Sequence, residues 1–174
     1  ALSDTLVDDY DVVDLMQLLV DRSAALFDAV SAGVLLSDAH GRVEVLASTD
    51  EDARLIELMQ LKRGAGPCLT ALATGEVVAV PDVREVEDAW SGFRGQALEL
   101  GIHAACAVPM RLRGQTIGAL NLFRAQPGSF DADDLAVVRA FADVATIGVL
   151  HQWALVESDA VRSQLTYALD SRVV

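Results

Sequence analysis

The chain has 174 residues, 52% of them apolar, with 13 basic and 26 acidic side chains and a formal net charge of −13. That length suits one domain with a substantial core, and the apolar content argues against disorder over most of it. The negative charge argues against a nucleic-acid surface or docking on anionic lipid, because phosphates would be repelled rather than neutralised.

Asp11 and Asp14 offer an N-cap and an acidic first turn to a helix over "VVDLMQLLVDRSAALF", whose apolar residues form two stripes and so want more than one neighbour. The runs "AVSAGVLLS" and "RVEVLAS", joined by "DAHG", predict a β-hairpin with the glycine in a tight turn. "EDARLIELMQLK" predicts a short helix with acids at its start and Lys62 and Arg63 at its end. In "LKRGAGPCLTALATG" the glycines let the backbone turn, Pro67 opens a helix and Gly75 closes it, with Leu69, Leu72 and Ala73 packing inward. The stretch lacks the Gly-Lys-Ser/Thr ending of a phosphate loop and does not complete G-x-G-x-x-G.

"EVVAV" predicts a strand stopped by Pro81, and residues 82–101 read as irregular to helical. "IHAACAVPMRLR" and "QTIGALNLF" predict a second hairpin turning at Arg113 and Gly114. After "QPGSF", Asp131 and Asp134 start a long helix that is apolar almost all round to Leu150, then thins to spaced Trp153, Val156, Val161, Leu165 and Leu169. That pattern starts against a sheet and runs out as an amphipathic arm seeking a partner. The order predicts an α+β fold: a central antiparallel sheet, terminal helices on one face and mid-chain helices on the other. No apolar segment reaches the ~20 residues a bilayer needs and no basic-then-apolar signal opens the chain, which reads as cytoplasmic.

The stretches "GAGPCLTALATGEVVAVPDV" and "AVPMRLRGQTIGALNLF" carry a resemblance. The run from about Asp4 to Trp153 resembles a GAF domain, the PAS-related small-molecule sensor fold. "GPC", "ADVATIGVL" and the junction "LTYALDSRVV" are most similar to the sensor half of bacterial proteins joining GAF to ANTAR, an RNA-binding transcription antiterminator. The resemblance implies a sheet of about six strands with a ligand pocket under short helices and loops. It implies a sensor domain over residues 1–153 and a helical arm over 154–174 leading to an ANTAR module absent from the chain, so that RNA binding belongs to that module alone. It further implies a homodimer through the terminal helices, with Val12, Leu15, Leu19, Leu150, Trp153, Val156, Val161 and Leu165 as candidate contacts.

The candidate pocket residues are Met59, Cys68, Trp90, Phe93, His103 and Cys106. Trp90 and Phe93 lie in the segment that helps wall the pocket in the GAF fold, able to stack on a planar ligand or to plug an empty cavity. Cys68 sits in a helical first turn, where the partial positive charge lowers a thiol's pKa and permits redox sensing; the alternative is a small buried hydrophobe. In a regular strand Ile102, Ala104, Cys106 and Val108 face one way and His103, Ala105 and Ala107 the other, so His103 and Cys106 share no metal. Pro109 could mark a bulge. No metal site is expected, and the cofactor stays open: haem hangs on His103 alone, and the ligand is an unidentified small molecule. Some GAF-fold proteins reduce free methionine sulfoxide with three cysteines; two cysteines make that chemistry doubtful, and no catalytic residue is assigned. The expected function is a small-molecule or redox sensory domain of a transcription antitermination regulator. The alternatives are a thiol-dependent redox enzyme and a ligand-free dimerisation module.

Overall fold

The computed structural model describes residues 12–38 and 40–170. Asp11, the expected cap of the first helix, and residues 171–174 of the expected junction lie outside that range. The elements follow in the order α1 (Val12–Leu26), β1 (Ser31–Ser37), β2 (Val43–Ser48), α2 (Glu51–Arg63), α3 (Pro67–Thr74), β3 (Val78–Val80), α4 (Ser91–Glu99), β4 (Ala104–Leu112), β5 (Gln115–Arg124) and α5 (Ala132–Asp170), with two 3-10 turns between β3 and α4. Among the described residues the sheet has five strands in the order β2-β1-β5-β4-β3, every pair antiparallel. The expected sixth strand is absent there. Residues 82–101, read from the sequence as irregular to helical, hold the two 3-10 turns and α4.

Local chemistry explains the boundaries. Asp50 caps α2 by accepting from the Ala53 amide at 2.9 Å, and Lys62 and Arg63 occupy its last turn. Pro67 opens α3 and Gly75 closes it in the left-handed region, its N–H donating to the Ala71 carbonyl. The β4–β5 hairpin turns on Arg113 and Gly114, both at positive φ (52° and 82°), as a two-residue turn matching strand twist requires. Its register slips between Met110 and Arg111, just past Pro109. The Asp38 carboxylate ties the β1–β2 turn by accepting from the amides of His40 and Arg42.

The strands alternate between two cores. Ala32, Val34, Leu36, Cys106, Val108, Leu120 and Leu122 point to one face, where Met16, Leu19 and Val20 of α1 and Val138, Ala142, Ala145 and Val149 of α5 cover them. The two terminal helices lie side by side, with Phe27 edge-on to Phe141 at 6.3 Å between ring centres. On the opposite face Leu35, Ala105, Ala107, Ala119 and Phe123 are covered by α2, α3 and α4. No helix among the described residues is long and apolar enough to cross a membrane.

Candidate ligand site beneath the mid-chain helices

The inward stripe of α2 is Ala53, Ile56, Glu57 and Gln60, at helical spacing and all buried. It carries a carboxyl and an amide into the space between helix and sheet. Asn121, the one polar side chain in the apolar run of β5, rises from the sheet to meet them. Its Nδ2 donates to Glu57 Oε1 at 2.6 Å, while Glu57 Oε2 and Asn121 Oδ1 are buried without a hydrogen-bond partner. Gly33 of β1 lies directly under the Glu57 carboxyl, where a Cβ would collide with the carboxyl group. Burial pushes the Glu57 carboxyl up to about 8, against a smaller downward pull from Asn121. At neutral pH this is a protonated acid held in the protein interior.

Gln60 continues the cluster. Its Oε1 accepts from the Cys68 amide at 3.2 Å and from the Cys68 thiol at 3.0 Å. Gly66, at φ 149°, lets the chain pass against the Gln60 side chain, which a Cβ would strike. The start of α3 is therefore tied to α2 by one glutamine, and this sets which face of α3 turns inward: Cys68 and Ala71 are buried, Leu69 and Leu72 half-buried and Ala73 exposed. Leu69 packs against the core there as expected, whereas Ala73, expected inside, is exposed, and Cys68 and Ala71 carry the buried face instead.

The expectation of an acidified Cys68 thiol also fails. Cys68 does lie in the first turn of α3, but burial first and the Glu57 charge second hold its thiol well above the ordinary range, outweighing the local amides. Cys106 lies on the other face of the sheet, among the residues packed by the terminal helices, where burial pushes its thiol up to about 12. The thiols cannot meet across the sheet, and both are free. In the native protein at pH 8, both are expected to resist a thiol-specific disulfide reagent and to react at once in denaturant; fast native labelling of either would contradict this burial.

The remaining candidates divide. Met59, Trp90 and Phe93 join one apolar cluster with Ile56 and Phe123, Trp90 standing edge-on to Phe93 at 6.4 Å. Arg94 donates to the Val86 carbonyl at 3.0 Å and so fastens the segment that carries Trp90. An open cleft of about 340 Å³ at the β3 edge is lined by Pro81, Asp82, Glu85, Val86, Glu87 and Trp90. His103, half-buried, faces the Ala125 carbonyl at 2.8 Å through Nδ1, which must be the protonated nitrogen, since a carbonyl only accepts. Ile102 packs with Ala105 and Phe123 rather than with Cys106, because the regular strand begins only at Ala104. Among the described residues no group of three or more His, Cys, Asp or Glu side chains could hold a metal ion.

Of the terminal-helix candidates, Leu19 is buried and Val12, Leu15, Leu150 and Trp153 are half-buried on the chain's own core. Val156, Val161 and Leu165 are exposed. Sequence reasoning missed Glu57, Gln60 and Asn121. The signals are in the sequence all the same: Glu57 falls in the stripe of Ala53, Ile56 and Gln60, and Asn121 interrupts an otherwise apolar strand.

The family model for the GAF domain matches residues 9–149. No curated protein sequence matches the chain. Among solved structures, the chain is similar to the GAF domain/HD domain protein from Geobacter sulfurreducens, 19% identical with a TM-score of 0.65 over 83% of this chain and 95% of that one. It is similar to the blue-light absorbing form of the PixJ GAF domain from Thermosynechococcus elongatus, 16% identical with a TM-score of 0.62 over 90% and 94%. It is also similar to the type II free methionine-R-sulfoxide reductase from Thermoplasma acidophilum, 18% identical with a TM-score of 0.65 over 82% and 94%. These likenesses concern the fold.

Proposed function

The chain belongs to the GAF domain family, and from that premise we propose that it is a small-molecule sensory domain that reads its ligand at the buried Glu57–Asn121–Gln60 cluster. GAF domains are in general sensory and regulatory parts of signalling proteins, not enzymes, although one structural neighbour is a reductase. The observation that carries the reading is the pair of buried polar atoms without partners, Glu57 Oε2 and Asn121 Oδ1, on the sheet face away from the terminal helices. Leaving such atoms unpaired costs roughly 1–3 kcal/mol each, and a ligand offering hydrogen-bonding groups would recover that cost. Thiol redox sensing is the weaker form of the proposal, given the buried thiols on opposite faces.

Signalling requires a ligand to favour one arrangement of the terminal helices over another. In our reading the domain spans residues 1–153, works as a homodimer through those helices, and hands its state along the arm of α5 to an RNA-binding antitermination module of the ANTAR type. The support is the similarity of the "GPC" and "ADVATIGVL" stretches to that class together with the long helix that carries the arm.

Native mass spectrometry of freshly purified protein tests the ligand. A bound small molecule is expected as added mass, absent or weaker in Asn121→Leu. Added back at about a hundred times its Kd, the molecule should raise the wild-type Tm by roughly 5–10 °C. Protein without added mass, whose Tm no compound of a metabolite library shifts, would leave the domain without a ligand and favour the dimerisation module.

A further inference from the structure

The long helix α5 carries two stripes. The inner one, Val138, Ala142, Ala145 and Val149, is spent on the chain's own sheet. A second stripe, one residue earlier at its start, steps alternately by three and four: Val137, Ala140, Val144 and Ile147 on the body of the domain, every one of them exposed and Val144 70% so. The same step continues through His151, Ala154, Ser158, Val161 and Leu165 along the arm, again all exposed. Steps of three and four keep a stripe on one seam of a supercoiled helix pair, whereas the fall-off of a surface helix would leave charges somewhere on it.

We infer that this stripe is the seam of a parallel, in-register coiled coil with a second copy of the chain, with Val137, Val144, His151, Ser158 and Leu165 at one core position and Ala140, Ile147, Ala154 and Val161 at the other. This deepens the dimer reading above and rests on it. Charge complementarity selects the occupant and its direction. With this assignment Glu157 and Arg162 flank the seam five residues apart, the spacing at which parallel, in-register helices bring a glutamate of one copy to the arginine of the other. Antiparallel pairing matches like flanking positions instead and loses this pair. On the body the seam borders a groove of about 320 Å³ between α1 and α5, whose lining includes Leu18, Leu26, Phe141 and Val144. The apolar surface available to the second copy is therefore continuous from body to arm. His151 and Ser158 interrupt the seam, and polar core positions are the kind that fix register at some cost in stability. Val156 falls on the outer side of such a pair.

Crosslinking through one introduced cysteine in the full chain tests the seam, because the native thiols Cys68 and Cys106 are buried. Under copper-phenanthroline oxidation Val161→Cys is expected to give mostly disulfide-linked dimer and Val156→Cys almost none, while light scattering of the reduced proteins reports a dimer. A dimer in which Val156→Cys links, or neither variant does, overturns the seam but leaves dimerisation standing. A monomer by light scattering removes both. Independently, Glu157→Arg should weaken the dimer a few-fold and the charge-swapped pair Glu157→Arg with Arg162→Glu should restore it; no restoration overturns the parallel register.

Discussion

Unfolding by urea at pH 5.5, 7 and 8.5 is expected to show the wild type losing stability across that range relative to Glu57→Gln. The sign follows from the buried carboxyl. Its folded pKa is raised from 4.5 to about 8, so between these values the folded protein holds a proton that the unfolded chain has released. Stability from this group is complete below about 4.5, falls as pH rises through the window and levels off above 8, with a slope near ~1.4 kcal/mol per pH unit in mid-window. Glutamine keeps the shape and the hydrogen bond to Asn121 without a proton to lose. The variant should match the wild type near pH 5 and exceed it by several kcal/mol at pH 8.5, after the background slope common to both is subtracted. Equal slopes in the two proteins would mean that Glu57 is hydrated, and with it the polar cluster. The carboxylates of Asp38 and Asp82 act in the opposite sense: backbone amides lower the first, and Arg84 lowers the second. What they contribute is present above the ordinary carboxylate range and lost in acid, outside the Glu57 window.

Gly66→Ala is expected to be the most damaging single-methyl change at the site. Two costs coincide there. The backbone at φ 149° lies where side chains are rarely accommodated, and a Cβ would strike the Gln60 side chain that anchors Cys68. Strain of this kind costs on the order of 1–3 kcal/mol, and overpacking a similar amount. Gln60 cannot simply move aside, because it is buried and its retreat would leave the Cys68 amide without its acceptor. A loss of roughly 3–5 kcal/mol in urea unfolding is therefore expected, with faster labelling of the Cys68 thiol as α3 loosens. Gly95→Ala provides the control, since an added Cβ there meets nothing within 4 Å and alanine is the better helix former. A Gly66→Ala protein as stable as that control would show that the contact between Gly66 and Gln60 is not close-packed.

The turn glycine Gly66 is legible in the sequence, whereas the buried side chains it and Gly33 pack against, Gln60 and Glu57, are not, and the reason is physical. The elements were legible because their signals are local. Acids at the start and Lys62 and Arg63 at the end mark α2, Pro67 and Gly75 bracket α3, and Arg113–Gly114 turns the hairpin. Period-two alternation in β4 put Cys106 and Ala105 on opposite faces before any sheet was seen, and the sheet keeps them there. The resemblance to the GAF domain rested on the same local stretches, and the GAF family model matches residues 9–149.

What a linear reading lacks is the partner. The charge of Glu57 looks like that of any solvated helix acid until Asn121, 64 positions away, meets it over Gly33. Helix position alone predicted an acidified Cys68, but the field of a helix end is a fraction of a charge, while full burial withdraws the whole hydration of a thiolate. Likewise Leu19 and Trp153 are apolar in sequence whichever surface they cover; only the packing of α1 and α5 on the sheet turns them to the chain's own core and leaves Val144 and Val161 outside. Thus caps, turns and periodicity determine, within a few residues each, the elements of this protein, and its likeness to GAF sequences supplies the fold family. Which polar groups lose water, and which apolar faces stay bare, is decided where distant segments meet, because burial belongs to the assembled surface and not to the residue.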